Sequence, residues 1–327
     1  MKAANINSTG GPDKIQWSEL HIPEINQNQV LVKVASVAAN PVDTYIRAGK
    51  FPLEKPLPMP YIIGSDMVGI VSKVGKDVKQ FKVGQKVWSN TCGYFGRQGC
   101  FAEFVAVDEN LLYSVPDGIK DQELVATAQA GITACYGLLH IAKLQANDTI
   151  FVLGGSGNVG SAVIQIAKAR GAKVFAATSG EAKMEWCRKL GADLVVDYKK
   201  DNIEKKVKEV LPQGVNVFWD TSRQPNFDTS VAMMANRGRI ILMAGADSRP
   251  QFPVGPFYRK QCTLAGFSLF NATPAELRQC AEIVTACLQQ NKLKTKIAAT
   301  LPLEEAAKAH EMLESQADLW GKIVLVH

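Results

Sequence analysis

The 327-residue sequence contains no Cys-x-x-Cys pair, and its seven cysteines are an odd number lying far apart. Neither a disulfide framework nor a zinc-finger-type site is indicated, and Cys92 and Cys100 stand alone. No block of five like charges occurs; the net charge of +6 comes from lysines and arginines scattered among acids. Nucleic-acid binding is left open but unsignalled, and the mild positive field suits an anionic cofactor. The N-terminal stretch MKAANINSTGG lacks the apolar core of a signal peptide. Asp, Glu, Lys and Arg are absent from 124–142, yet Thr127, Gln129, Gly131, Thr133 and His140 interrupt that stretch, which favours a buried helix over a membrane span. There are only four histidines. His21, His140 and His327 lack catalytic support, and His310 lies on an amphipathic helix where packing or capping explains it. No nucleophile–base pair of the hydrolase kind can be assembled. These absences point to a cytoplasmic, reduced, globular protein. With 46% hydrophobic and 21% charged residues it has no disordered bulk and is long enough for about two domains.

What is present is organised around 148–178. An apolar run, Ile150 to Leu153, leads into Gly155-Ser156-Gly157-Asn158-Val159-Gly160, then a helical pattern, then a second apolar run, 173–177. Strand, glycine turn, helix and strand are the context that gives the GxGxxG pattern its meaning. Gly155 is expected to permit the sharp turn, Gly157 to admit a pyrophosphate, and Gly160 to let helix and strand close up. Asn158, inside the turn, is of a residue type that tolerates a left-handed backbone. The helix start would hold phosphate through its free N–H groups. A turn binding no nucleotide is the plainer alternative, and the two flanking strands weigh against it. The second strand ends Thr178-Ser179-Gly180 with no acid at its tip, and Lys183 follows. Small hydroxyls and an ammonium suit the extra phosphate of NADPH, although Lys183 is also readable as a solvated helix lysine.

Residues 1–124 look β-rich, with runs at 30–37, 69–74, 86–88 and 101–107 separated by turn residues. From residue 125 to 270 strands and helices alternate, with further strands at 193–198, 216–221, 239–245 and 263–270. Such alternation predicts an α/β fold with a doubly wound parallel sheet, a Rossmann domain. Residues 271–327 hold helices near 274–290 and 303–313 and a last strand at 322–326. They are expected to return to the first domain.

Four stretches carry a resemblance: Asn40-Pro-Val-Asp43-Thr-Tyr45-Ile-Arg47-Ala-Gly49, Gly64-Ser65-Asp66, the glycine turn, and Ala309-His310-Glu311. Over essentially its full length the chain resembles the zinc-independent medium-chain dehydrogenase/reductases, near the quinone oxidoreductase and zeta-crystallin branch. The resemblance implies a GroES-like domain around the Rossmann domain. A homodimer formed through edge strands near 263–270 is expected. Zinc-dependent relatives place cysteine and histidine ligands where this chain has Asn40 and Ser65, so no zinc and no alcohol oxidation are expected.

By the same carry-over, Asn40, Asp43, Tyr45 and Thr133 surround nicotinamide and acceptor. Asn40 would bond the acceptor oxygen. Asp43 would anchor the loop, or merely cap a turn; Tyr45 would line the pocket or relay a proton, or lie in the core. Thr178, Ser179, Lys183 and Tyr198 would surround the adenosine phosphate. Ala244, Gly245, Phe267, Ser268 and Leu269, at strand ends, would face the nicotinamide ribose. Lys322 would reach the cofactor or lie on the surface. The 51–61 loop, rich in proline, would shape the acceptor pocket. The expected activity is NADPH-dependent reduction of quinones. Reduction of the C=C bond of enones is the nearest alternative, and a non-catalytic NADPH-binding structural or RNA-binding protein the alternative of another class.

Overall fold

The computed structural model describes residues 1–52, 54–315 and 319–327; Leu53, in the 51–61 loop, lies outside the described residues. The chain forms two compact units: residues 1–129 with 295–327, and residues 130–294. These bounds differ from the boundaries after 124 and 270 read from the sequence. The helix at 274–289 belongs to the second unit, and the chain re-enters the first at Thr295.

The first unit begins with β1 (Lys2–Ile6), β2 (Gln16–Glu19), β3 (Gln29–Ala39), α1 (Pro41–Arg47), β4 (Tyr61–Ile62), β5 (Asp66–Val74), β6 (Lys86–Ser89), β7 (Phe104–Asp108) and β8 (Tyr113–Ser114). Then α2 (Asp121–Tyr136) is prolonged by a π turn, Gly137–Ile141. By length and composition this helix could cross a membrane, but 78% of its most apolar window is buried within the protein.

The second unit holds β9 (Thr149–Leu153), α3 (Asn158–Ala169), β10 (Lys173–Thr178), α4 (Glu181–Lys189), β11 (Leu194–Asp197) and α5 (Ile203–Val210). There follow β12 (Val215–Asp220), α6 (Phe227–Met233), β13 (Met234–Leu242), α7 (Val254–Arg259), β14 (Thr263–Gly266) and α8 (Pro274–Gln289). The chain closes with β15 (Ile297–Pro302), α9 (Ala306–Ser315) and β16 (Lys322–Val326).

In the second unit the sheet order is β11-β10-β9-β12-β13-β14, every pair parallel. This is the doubly wound order in which the chain starts in the middle and reverses direction beside its first strand. The continuous apolar run of β9 follows from burial on both faces: Ile150, Phe151 and Val152 are all fully buried. Phe151 packs on Phe218 with ring centroids 5.1 Å apart, each buried ring contributing about 2–3 kcal/mol. Local caps agree with these elements. Asn202 accepts from Lys205 N–H at the start of α5, and Thr273 with Glu276 forms a capping box before α8. The strand expected over 263–270 stops at Gly266, and Leu269–Asn271 form a 3-10 turn instead. The alternation read from the sequence places helices between these strands but does not delimit the short α6 and α7.

In the first unit the larger sheet runs β15-β16-β3-β5-β6-β8, with β7 also on β3. The long strand β3 is its spine, with register shifts near Leu31/Val32 and Val34/Ser36. Such bulges let one strand serve several partners. β16 pairs antiparallel to β3 and parallel to β15.

Candidate active site

The glycine turn sits between β9 and α3. The left-handed residue is Gly154, at φ +81°, not Gly155 as the sequence implied. A Cβ on Gly155 would instead lie 2.9 Å from Ala176 Cβ and 3.1 Å from Ile164 Cδ1, so that glycine serves close packing. Asn158 opens α3 in a helical conformation and needs no left-handed tolerance. Gly157 is the N-cap and has no side chain with which to cap. The first intrahelical bond runs from Ser161 N–H to Gly157 O, 2.8 Å. The amides of Asn158, Val159 and Gly160 therefore have no acceptor within the helix, which is the donor set a phosphate group takes. The turn fits a dinucleotide pyrophosphate.

At the tip of β10 the structure brings together residues from three segments. Ser156 Oγ and Thr178 Oγ1 are 2.6 Å apart, joining the turn to the strand end. Ser179 Oγ donates to Tyr198 Oη at 3.2 Å, and Tyr198 is 46% exposed. Lys183 lies half-buried on the first turn of α4. An acid absent from the β10 tip stands on the next strand: Asp197 pairs with Thr178. Its carboxylate is turned to the backbone, accepting from Gly180 N–H (3.3 Å) and Lys199 N–H (3.0 Å). It lies on a different strand, 19 positions after Thr178, so the residues that end β10 carry no local sign of it.

Ala244 and Gly245 follow β13, with Gly245 at φ +83°. Phe267, Ser268 and Leu269 follow β14. Phe267 is mainly a packing aromatic, 5.8 Å from the Trp219 ring and 5.7 Å from that of Tyr136. Thr133 is buried on the part of α2 that belongs to the second unit.

In the first unit, Asn40, Asp43, Ser65, Asp66 and Lys322 form a buried polar network. Asn40 caps α1, its N–H bonded to Asp43 Oδ2 at 2.8 Å, so Asp43 is both cap and anchor. The Asn40 Nδ2 group donates to Asp66 Oδ2 (2.9 Å), Ser65 Oγ (3.1 Å) and Ala38 O (3.3 Å). Its Oδ1 accepts from Lys322 Nζ. The reverse amide orientation would set NH2 against an ammonium and C=O against a carboxylate, so electrostatics select this one. With those protons engaged and only 2% of the residue exposed, Asn40 organises its neighbours; the expected bond to an acceptor oxygen has no free donor in this geometry. Lys322, 2% exposed, is no surface lysine. Tyr45 is 41% exposed and is not core.

Burial shapes the charges here. It raises the Asp66 carboxyl to about 6 against the opposing pull of Lys322, Asn40 and the Gln129 N–H. Burial, then the neighbouring Asp66 charge, lifts Asp43 to about 7. Burial also lowers Lys322, which Asp66 and Asp43 partly offset. The Cys100 thiol, donating to Asp66 O at 3.4 Å, is pushed up by burial and is no nucleophile. Asp66 was visible only as part of Gly64-Ser65-Asp66, and nothing local signalled its ionic partner.

Residues 26–117 match the alcohol dehydrogenase GroES-like domain, and residues 158–286 match the zinc-binding dehydrogenase family. The chain is 33% identical over 330 residues to quinone oxidoreductase of Rattus norvegicus, covering 100% of this chain and 98% of the relative. It is 38% identical over 258 residues to the chloroplastic NADPH-dependent alkenal/one oxidoreductase of Arabidopsis thaliana, covering 77% and 64%. The structure of Escherichia coli quinone oxidoreductase complexed with NADPH superposes with a TM-score of 0.85 at 25% identity, each chain fully covered. The zinc of the family description does not fit the first-unit network. Asn40 offers an amide and Ser65 a hydroxyl; of the two carboxylates, Asp43 is bonded to the Asn40 N–H and Asp66 already has the Lys322 ammonium 3.8 Å away. Among the described residues no three His, Cys, Asp or Glu side chains gather as a metal site. With matches to both domain families and full-length likeness to quinone oxidoreductases, the chain belongs to the medium-chain dehydrogenase/reductase family of oxidoreductases.

Proposed function

We propose that this protein is a zinc-free, NADPH-dependent reductase of quinones. The observation that carries the reading is the pairing of a phosphate-ready glycine turn with the hydroxyls of Ser156, Thr178, Ser179 and Tyr198, followed by Lys183 on the first turn of α4, while the nearby Asp197 carboxylate is turned to the backbone. In this assignment the amides of Asn158, Val159 and Gly160 hold the pyrophosphate. Thr178, Ser179, Lys183 and Tyr198 take the adenosine phosphate, with Asp197 kept off it by its backbone bonds. Ala244, Gly245, Phe267, Ser268, Leu269 and Thr133 line the nicotinamide end. NADPH supplies the reducing hydride, so the side chains need only bind, orient and exclude water. Asn40, Asp43 and Lys322 hold α1 in place, and Tyr45 offers the acceptor an exposed hydroxyl.

Reduction of enone C=C bonds is the second reading, favoured by 38% identity to the Arabidopsis alkenal/one oxidoreductase. Cytoplasmic residence and a homodimer belong to the same proposal. The dimer would form through β14, the edge of its sheet, where Leu264 is 38% exposed; on the preceding α7, Tyr258 and Val254 are 63% exposed each. The test is NADPH and NADH oxidation against ortho- and para-quinones and alkenals, with and without a chelator. Chelator-insensitive quinone turnover preferring NADPH supports the first reading. Alkenal turnover alone moves it to the second, and tight NADPH binding without turnover removes both.

A further inference from the structure

The buried network of the first unit contains a cation, and that cation belongs to the chain. β16 runs antiparallel to β3 with Val324 opposite Ala38 and Ile323 opposite Ala39. One step further in the same register brings Lys322 beside Asn40. β5 sets Asp66 opposite Ala38 from the other side of β3. Three strands thus deliver an ammonium, an amide and a carboxylate to one place.

The order of contacts matters. Lys322 Nζ is 3.8 Å from Asp66 Oδ2, beyond a direct hydrogen bond. It donates to Asn40 Oδ1, while Asn40 Nδ2 donates to Asp66 at 2.9 Å. The amide therefore bridges cation and anion, each bond polarising the next. A lysine stripped of water is costly unless its charge is matched and bonded, and both conditions are met here. A divalent ion entering the pocket would meet a fixed positive charge beside the Asp66 carboxylate, with the Asp43 carboxylate already bonded to the Asn40 N–H.

We propose that Lys322 is a positioning residue of the reductase: its ammonium is the resident cation of this pocket, takes the charge-balancing part that a metal has in zinc-binding dehydrogenases, and through Asn40 fixes the start of α1, the helix that bears Tyr45. The inference rests on the reductase reading for its kinetic consequence. Asn40 transmits the effect because its backbone opens α1 and its side chain is clamped between Lys322 and Asp66.

Lys322→Met keeps the stem and removes the charge; Lys322→Met with Asp66→Asn also removes the carboxylate left alone. Four quantities are measured on the full chain: melting temperature, kcat with NADPH and phenanthrenequinone, the NADPH Kd by fluorescence, and zinc retained after equilibration with zinc chloride. The Asn40 side-chain amide resonances, assigned by their loss in Asn40→Asp, give a readout independent of turnover. The single variant should melt lower and the double variant should regain most of that loss. In both, kcat should stay about tenfold or more below wild type, with the NADPH Kd unchanged within about twofold. The Asn40 amide resonances should shift in both, and wild type should retain no zinc. Recovery of kcat together with melting temperature would make Lys322 purely structural. A weakened NADPH Kd with kcat retained would make it a cofactor ligand. Unshifted Asn40 resonances, or one zinc per wild-type chain, would also overturn the proposal. Absence of quinone turnover in wild type would sink the reductase reading alone, because the resonances and the zinc content still decide the part played by Lys322.

Discussion

Gly160 lies so close to Gly154 that a Cβ on it would stand 2.2 Å from the Gly154 carbonyl oxygen. The first turn of α3 and the end of β9 can approach this far only with hydrogen at position 160. Gly160→Ala must therefore displace the turn itself. Gly157 differs: its Cβ would meet only Gly154 O, at 3.4 Å. The expected outcome is a lower melting temperature and at least about tenfold weaker NADPH binding for Gly160→Ala. Gly157→Ala should melt as wild type yet still bind NADPH more weakly, because its Cβ stands where the backbone admits the pyrophosphate. Thermal unfolding and fluorescence titration of the two variants check both statements; equal melting losses would refute the distinction.

Lys183→Glu places a carboxylate on the half-buried first turn of α4, the helix that follows the Thr178-Ser179-Gly180 strand end. Repulsion of the adenosine phosphate should weaken NADPH binding about tenfold or more while NADH changes little. Parallel NADPH and NADH titrations decide it. An equal loss for both cofactors would show that Lys183 does not meet that phosphate.

Asp43 titrates near 7 in the folded protein against 3.8 for the ordinary carboxyl. The folded state binds the extra proton, so this group's contribution is fully present below pH about 4 and is lost as pH rises through about 7. Asp43→Asn retains an oxygen for the Asn40 N–H and removes the charge. Relative to wild type, the variant should gain in melting temperature between pH 5 and pH 8. A constant difference across that range would contradict the assignment.

His310 titrates in the opposite sense. It is fully buried against the edge of Phe101, and neither ring nitrogen has a hydrogen-bond partner among the described residues. Burial, then the Arg47 charge, depresses it from 6.5 to about 3. The unfolded chain binds the proton first, so stability is present above pH 6.5 and lost as pH falls toward 3. His310→Phe should lose less melting temperature than wild type between pH 7 and pH 5. Identical slopes would remove His310 as a source of acid sensitivity.

Buried Arg47 bonds Glu314 through Nη2, while its Nε and Nη1 have no partner among the described residues. Glu314→Gln would leave a nearly uncompensated buried charge joining α1 to α9, a loss of about 3 kcal/mol or more. Arg47→Met with Glu314→Gln should recover much of it. Chemical denaturation of the single and double variants tests this pair; a neutral single variant would show that the charge is otherwise compensated.

Much of the fold was legible because its signals are local. The unbroken apolar runs at 150–153 and 173–177 reflect burial on both faces. The helical period between them and the glycines of the turn follow from backbone sterics acting over a few residues. Short elements were not delimited: α6 and α7 have too few turns to fix their bounds by a period, and the strand expected over 263–270 ended where the backbone tightened after Gly266. The site was legible as a set of residues and less so as a set of roles. Gly155 and Asn158 were assigned backbone tasks that belong to Gly154 and to a regular helix start. The exposure of Tyr45 is decided by which face of α1 the rest of the unit covers.

The amino-acid order by itself determined the parallel sheet, its glycine turn and the acid-free tip of β10, because each depends on neighbours a few positions away. The tertiary structure alone decided what Asn40, Asp66 and Lys322 do. Lys322 and Asn40 are 282 positions apart, and they meet only because β16 enters the sheet antiparallel to β3 in one register. Their charges and hydrogen bonds then depend on the exclusion of water from that meeting point, a property of the packed unit that no single stretch of chain possesses.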